Sequence, residues 1–279
     1  MLCIAYPNVV GPSPSLLVVA EAGAILLPLL ARAVHLAYSA LLTLAFAVAT
    51  PFYLWKDRRT GKYRRSFRQR LGRLPAGVAA AAVNGPGRGA VWVHAVSVGE
   101  VLAVRPLLPA LRQRLPGRRI VLSTTTVTGQ ALAQGAQVDA VFFAPFDWAF
   151  TVRRALQAVR PALLVLVETE LWPNLIREAQ RAGARVAVVN GRLSPRSYPR
   201  YRRVRALLRP LLAQVDLFLM QAAPHAERAR QIGAPPERVR VLGNLKFDAL
   251  ARAPADRRPL QVGAGAEALW VAGSTAEGE

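Results

Sequence analysis

Val91-Trp-Val-His-Ala-Val-Ser-Val-Gly-Glu100 is the stretch whose reading decides the fold. Val91 to Ala95 is a short apolar, β-branched run, the pattern of a strand buried on both faces. Ser97-Val98-Gly99-Glu100 breaks that run, and a helical pattern follows from Val101 to Leu115. A strand that ends in a glycine-containing turn and opens a helix leaves free backbone N–H groups at the helix start. Those groups, with Ser97 as a cap or a hydroxyl ligand, suit an anion or a sugar hydroxyl. An ordinary strand–turn–helix joint reads the same way, and the stretch alone does not separate the two.

Downstream, strand-like and helix-like runs alternate. The strand candidates after Val91–Ala95 are Arg119–Ser123, Asp139–Ala144, Ala162–Val167, Arg185–Asn190, Asp216–Met220 and Arg238–Leu242. Helical stretches at Trp148–Val159, Leu171–Ala182, Pro195–Leu212 and Pro224–Ile232 separate the later ones. Alternation on this spacing predicts βαβ units and an α/β fold, a Rossmann-like parallel sheet covered on both faces. Ligands bind such sheets beyond the carboxyl ends of the strands, so the loops there hold the chemistry.

Polar residues collect in those loops. Ser97, Gly99 and Glu100 follow the first strand; Ser123 to Thr126, then Thr128-Gly129, follow the second. Glu168-Thr-Glu170-Leu-Trp-Pro-Asn174 follows the fourth and Asn190-Gly-Arg192-Leu-Ser194 the fifth. Glu168 and Glu170, two residues apart beside a Trp-Pro turn, suit the orientation of sugar hydroxyls or acid–base work. Equally, Glu170 suits a cap on the helix whose first turn holds Pro173. Arg192, Arg196, Arg200, Arg202, Arg203, Arg205 and Arg209 form a basic run without an acidic residue among them. A solvated helix face accounts for many such runs, but the lack of compensation favours a phosphate-binding surface.

Upstream, no Asp, Glu, Lys or Arg occurs between Arg32 and Lys56. That run is long enough to cross a hydrocarbon core of roughly 30 Å as a helix, with a buried hairpin or core helix as the alternative, and it argues for anchoring more strongly than for full crossing. Tyr38 lies near its start and Tyr53 and Trp55 at its end, where interfacial aromatics belong. Lys56, Arg58, Arg59, Lys62, Arg64, Arg65, Arg68, Arg70 and Arg73 follow, opposed only by Asp57. By the positive-inside rule this collar keeps the rest of the chain in the cytoplasm, and it suits an anionic membrane surface. Residues 1 to 32 form an apolar extension to which no role is assigned; lacking a basic stretch ahead of the apolar part, it does not read as a secretory signal. Pro75 to Gly89 reads as a linker.

Composition agrees with these parts. The chain has 279 residues, 53% of them hydrophobic, and 37 Lys and Arg against 16 acidic residues, a net charge of +21. So basic a balance implies a polyanionic partner: nucleic acid, an anionic membrane or a phosphorylated substrate. Nucleic acid would leave the apolar run and the carboxylate loops unexplained, so we expect no nucleic-acid partner. The single cysteine, Cys3, cannot form an internal disulfide and has no metal-ligand spacing around it, which fits a reducing compartment.

Five motifs also stand in the order seen in a known family. His94-Ala-Val-Ser-Val-Gly-Glu100, Glu168-Thr-Glu-Leu-Trp-Pro-Asn174, Asn190-Gly-Arg-Leu-Ser194, Gly243-Asn-Leu-Lys-Phe-Asp248 and Gly273-Ser-Thr-Ala-Glu-Gly-Glu279 resemble the 3-deoxy-D-manno-octulosonic acid (Kdo) transferases. Thr60-Gly-Lys-Tyr to Arg70-Leu-Gly-Arg-Leu-Pro75 is similar to their membrane-proximal region. The resemblance implies the N-terminal half of a GT-B glycosyltransferase, with two Rossmann-like domains facing a cleft. It implies transfer of Kdo from CMP-Kdo to a lipid A precursor in lipopolysaccharide core biosynthesis, inverting, with no cofactor or bound metal. The expected place is the cytoplasmic face of the bacterial inner membrane. Residues 33–73 would be the anchor and membrane-proximal segment, 90–248 the acceptor-binding domain, and 249–279 a linker and the start of the donor domain.

On this resemblance Ser97, Gly99, Glu100, Thr126, Glu168, Glu170, Asn190, Arg192, Arg200, Arg202, Arg203 and Lys246 are the expected substrate-binding residues. Gly273, Ser274, Thr275 and Glu277 are the expected donor-binding ones. Two departures matter. The family's proposed general base is the glutamate of a Glu-Arg-x-Gly motif, and Gln69-Arg70-Leu71-Gly72 stands here; an amide cannot accept the acceptor hydroxyl's proton at neutral pH. The chain also stops at Glu279, just inside the expected donor half, and Ala276 stands where the family usually has histidine. The expectation is a complete acceptor half, a truncated donor half and no turnover by these residues alone; the alternative is a catalytically impaired, membrane-anchored binder of anionic glycolipid.

Overall fold

The computed structural model describes residues 34–52, 55, 64–78 and 89–251. The N-terminal extension, the Lys56 to Lys62 part of the basic collar, residues 79–88 of the linker and the donor-binding expectations Gly273, Ser274, Thr275 and Glu277 lie outside the described residues.

Seven parallel strands form one sheet in the order β3-β2-β1-β4-β5-β6-β7. They are β1 (Ala90–His94), β2 (Ile120–Thr124), β3 (Ala140–Phe143), β4 (Pro161–Val167), β5 (Arg185–Gly191), β6 (Leu217–Met220) and β7 (Val239–Val241). Every strand read from the sequence is present, with ends shifted by at most one residue, where pattern reading is weakest. Strand period 2 explains why the runs were continuously apolar. Trp92, Leu164, Leu166, Val186 and Val188 enter the core on one face of the sheet, and Val91, Val93, Val165, Val167 and Val189 the core on the other.

Helices Ala149–Val159, Pro173–Arg181, Arg205–Leu212 and Ala223–Gln231 cover the first face. Helices Val98–Val104, Leu107–Arg114 and Val127–Gln134 cover the second, with Leu245 of Leu245–Ala251 joining them. Strand order reverses between β1 and β4, so the loops after these two strands flank the switch point where such sheets bind ligands.

The helix expected over Val101 to Leu115 starts earlier, at Val98, and is two helices. Pro106 divides them, because proline has no N–H to continue the ladder. The stretch expected as one helix from Pro195 to Leu212 is likewise two, Tyr198–Arg203 and Arg205–Leu212, with a tight turn in which Val204 N donates to Tyr201 O at 3.2 Å. The linker is shorter than read: Val78 is buried in the first core.

Further helices precede the sheet. Val34–Phe52 is long and apolar enough to cross a membrane by length and composition. Arg64–Arg70 packs beside β3. Gly72 follows it at φ 79°, and a Cβ there would lie 2.3 Å from Thr151 O, so only glycine lets the chain pass this close to the helix at Ala149–Val159.

Candidate functional site

The loops after β1, β4 and β5 and the helix Leu245–Ala251 meet at the switch point, and each supplies a side chain. Glu100 stands in the first turn of Val98–Val104 and is only 7% exposed. Its carboxylate accepts from Val96 N at 2.7 Å and from Ser97 Oγ at 2.9 Å. Ser97 occupies the cap position, but its hydroxyl donates to Glu100 and caps no backbone N–H. Burial pushes the Glu100 carboxyl up to about 7; its two hydrogen bonds oppose the shift, and the charges of Glu170 and Glu168 add to it.

Glu168 leaves β4 in the left-handed region, φ 61°, and Asn190, next to last in β5, adopts it too, φ 56°. Each such non-glycine residue costs roughly 1–2 kcal/mol. Strain at adjacent strand ends is characteristic of a site whose side-chain directions matter. The Glu168 carboxylate lies 3.7 Å from Lys246 Nζ. Asn190 Oδ1 accepts from Leu245 N at 3.1 Å, which fixes the start of the helix that holds Lys246. Thr169 Oγ1 exchanges hydrogen bonds with the Arg192 backbone, tying the loops after β4 and β5 together. The Arg192 side chain is left exposed.

Glu170 accepts from Trp172 Nε1 at 2.7 Å. Burial raises its pKa, the indole bond opposes the rise, and Glu168 adds to it. Glu170 therefore does not cap the helix at Pro173–Arg181. Asp147 does: its two carboxylate oxygens accept from Asn174 N at 3.0 Å and Leu175 N at 2.7 Å. Burial pushes this carboxyl up to about 7 against those bonds. Asn174 answers by donating from Nδ2 to Asp147 O at 2.6 Å. Trp172 meets His94 edge-on at a centroid distance of 5.4 Å. His94 is fully buried and held neutral, its pKa lowered to about 4 by burial, with Nδ1 2.9 Å from Ser123 Oγ.

The expected residues therefore divide. Glu100, Glu168, Glu170, Asn190 and Lys246 come together, and Arg192 is tied to their rim. Thr126 accepts from Gly129 N at 3.0 Å and so caps the helix at Val127–Gln134. Gly129 lets that helix approach Ser97, where a Cβ would lie 3.4 Å from the Ser97 carbonyl carbon. Gly99 is exposed on the first helical turn. Arg200, Arg202 and Arg203 lie exposed on Tyr198–Arg203, with the Arg202 guanidinium 5.9 Å from the centre of the Tyr198 ring.

Gln69 lies elsewhere, at the sheet edge, where its Oε1 accepts from Phe143 N at 2.8 Å. Arg70 beside it donates to Thr125 O and stacks 5.0 Å from the centre of the Phe143 ring. In the sheet, β3 stands two strands from β1. Asp147 escaped the sequence reading, and Asn174 stood at the end of a quoted motif without a role. The one signal was an Asp beside Trp148 in a post-strand loop, and no local pattern tells that it caps a helix of another βαβ unit.

Among the described residues no cluster of His, Cys, Asp and Glu could hold a metal ion. What the arrangement offers instead is a buried carboxyl poised near neutrality, a second carboxylate held by an ammonium, and a third turned onto an indole.

Residues 65–249 match the family model of 3-deoxy-D-manno-octulosonic-acid transferase (kdotransferase). A bifunctional glycosyltransferase/methyltransferase of Fusobacterium nucleatum is 38% identical over 199 residues, 68% of this chain and 31% of that protein. A 3-deoxy-D-manno-octulosonic acid transferase of Haemophilus influenzae is 36% identical over 160 residues, 57% of this chain and 38% of its own. The chain thus spans less than half the length of these curated relatives. The crystal structure of UDP-GlcNAc 2-epimerase from Neisseria meningitidis bound to UDP-GlcNAc superposes with a TM-score of 0.44 at 15% identity, over 58% of this chain and 48% of that one.

Proposed function

The chain belongs to the 3-deoxy-D-manno-octulosonic-acid transferase family, and we propose that it supplies the acceptor-binding part, residues 90–248, of an enzyme that moves Kdo from CMP-Kdo to a lipid A precursor. In this reading residues 249–279 lead into the donor-binding part. The enzyme works at the cytoplasmic face of the bacterial inner membrane, held there by residues 33–73. The observation that carries the reading is the grouping of Glu100, Glu168 and Lys246 at the switch point.

Glu100 is the general base. With its pKa near 7, it is ionised in a useful fraction at neutral pH and still basic enough to take a proton, the compromise that acid–base catalysis favours. It accepts the proton of the attacking acceptor hydroxyl. That oxygen forms a bond to the anomeric carbon of Kdo as the bond from this carbon to the CMP phosphate breaks, and a single displacement inverts the centre. The base role leaves position 69, where the amide holds the end of β3. Lys246, positioned by Glu168, offers positive charge to the anionic groups that meet there, so the scheme calls on no metal. Arg192 at the rim and Arg200, Arg202 and Arg203 beyond it take the acceptor's phosphates through charge-assisted bonds.

A lipid-binding titration of this chain tests the acceptor half. Replacing Arg200, Arg202 and Arg203 together by Ala weakens binding of a bis-phosphorylated lipid A precursor by about 1–3 kcal/mol, and less at high salt. Unchanged affinity would confine these arginines to solvating a helix face.

A further inference from the structure

The helix Val34–Phe52 has two dissimilar sides. His35, Tyr38, Ser39, Leu42, Phe46, Ala49 and Thr50 are half-buried or buried and recur at helical spacing along one side. The Tyr38 hydroxyl donates to the Asp147 carboxylate. Ser39 Oγ accepts from Asn174 Nδ2 at 3.1 Å, and Thr43 Oγ1 from Trp148 Nε1 at 3.0 Å. Phe46 packs edge-on against Phe146 and Trp148, with centroids 5.0 and 4.8 Å away. His35, at the helix start, lies near the charged side chains of Arg177, Glu178 and Arg181. The opposite side holds Leu36, Leu44, Val48 and Phe52, exposed by 71, 62, 74 and 57%.

These contacts conflict with a spanning helix. They run from the first turn past the middle, so the docked length leaves no roughly 30 Å stretch free for hydrocarbon. If His35 lay at the far face of a bilayer, Asp147, Arg177, Glu178 and Arg181 would be carried into the lipid with it, which is costly for charged groups. The exposed side asks for an apolar cover nonetheless. It extends about 24 Å from Leu36 to Phe52. Exposed Phe67 and Phe150 lie against Phe146 and Trp148, the rings that receive Phe46, with the Arg154 guanidinium 5.5 Å from the Phe150 ring and Arg68 exposed nearby in sequence. An apolar stripe edged by arginines is complementary to the surface of an anionic bilayer.

We propose that Val34–Phe52 is an in-plane membrane helix, which stays docked on the sheet domain through its His35–Thr50 side and lays its Leu36–Phe52 side into one leaflet of an anionic bilayer without crossing it. The inference rests on the membrane attachment proposed above and specifies its geometry. Docking also ties the membrane contact to the site, because Asn174 and Asp147, which receive the helix, fix the turn that holds Glu170 and Trp172.

The test uses the full chain with Cys3→Ser and single cysteines at Leu36, Leu44 or Phe52. Each is spin-labelled and added to vesicles of phosphatidylethanolamine and phosphatidylglycerol. The in-plane helix places all three labels at similar shallow depth, about 5–10 Å into the leaflet. A label at Leu44 near the bilayer centre, with Leu36 and Phe52 near opposite headgroups, would overturn it. In a separate variant, Arg32→Cys reacts with a membrane-impermeant maleimide added outside the vesicles; protection until lysis would again mean a crossing helix. The distance between labels at Leu44 and Glu227 stays the same when vesicles are added, and a new, longer distance would refute docking. Failure to bind the vesicles at all would refute membrane attachment as well as this geometry.

Discussion

Positions 69 and 100 both sit where the sheet's strands end, and both turn a side-chain oxygen onto a backbone N–H. At the sheet edge, Gln69 holds Phe143 N with a neutral amide. At the switch point, Glu100 holds Val96 N with a carboxylate that burial has pushed up to about 7. The first arrangement needs only an acceptor atom, which glutamine supplies as well as glutamate. The second presents a titratable group beside Glu168 and Lys246, where ligands enter such sheets. On the proposed reading, place in the topology, more than a motif's usual residue, decides where the proton chemistry sits.

The comparison breaks most visibly at Glu100. With this chain joined to the donor-binding half of a curated relative, Glu100→Gln lowers kcat by about 10²–10⁴, the usual cost of losing a general base. The amide keeps both bonds, accepting from Val96 N and donating to Ser97 Oγ, so the fold tolerates it. A loss of less than threefold, roughly, would put the base elsewhere.

Asp147 sharpens the contrast between a buried carboxyl that works and one that builds. Asp147→Asn turns one acceptor of the helix cap into a donor facing a backbone N–H. It should destabilise the chain by about 1–3 kcal/mol, read by denaturant unfolding, without altering the pKa of Glu100. A stability change below about 0.5 kcal/mol would show that the cap is dispensable.

The next effect is a pH slope. Burial raises both carboxyls in the folded state, Glu100 from 4.5 and Asp147 from 3.8, to about 7. A raised carboxyl favours folding below its unfolded pKa, and that contribution is lost as pH rises through the folded pKa. Stability should therefore fall by several kcal/mol between about pH 4.5 and 7.5, on the order of 3 kcal/mol from each group. Glu100→Gln should flatten the slope; an unchanged slope would mean that Glu100 titrates near its ordinary value.

Smallest of all is Gln69→Glu. Because either side chain accepts from Phe143 N, we expect kcat to change by less than about threefold. A rise of about a hundredfold would return the base to position 69.

Much of this was legible in the sequence. Strand runs apolar on both faces announced a parallel sheet, and their spacing put Glu100, Glu168, Glu170 and Asn190 in loops at one end. What stayed hidden depended on contacts far apart in the chain. Asp147 caps a helix that starts 26 residues later, after β4 intervenes. The Ser97 hydroxyl turned from a helix cap to Glu100, a choice between two local partners that spacing does not decide. The resemblance pointed to position 69 as the base through residue type, whereas the strand order separates it from the switch point. The apolar run at Val34–Phe52 was legible as a membrane segment, but composition does not reveal that one of its sides meets Asp147, Asn174 and Trp148.

The pH dependence of kcat/KM for the joined enzyme tests the central claim most directly, since it reports the ionisation of the free enzyme's base. We predict an ascending limb with a midpoint near 7, abolished by Glu100→Gln and unmoved by Gln69→Glu. A limb that survives Glu100→Gln, or that emerges only with Gln69→Glu, would contradict the assignment of the base to Glu100.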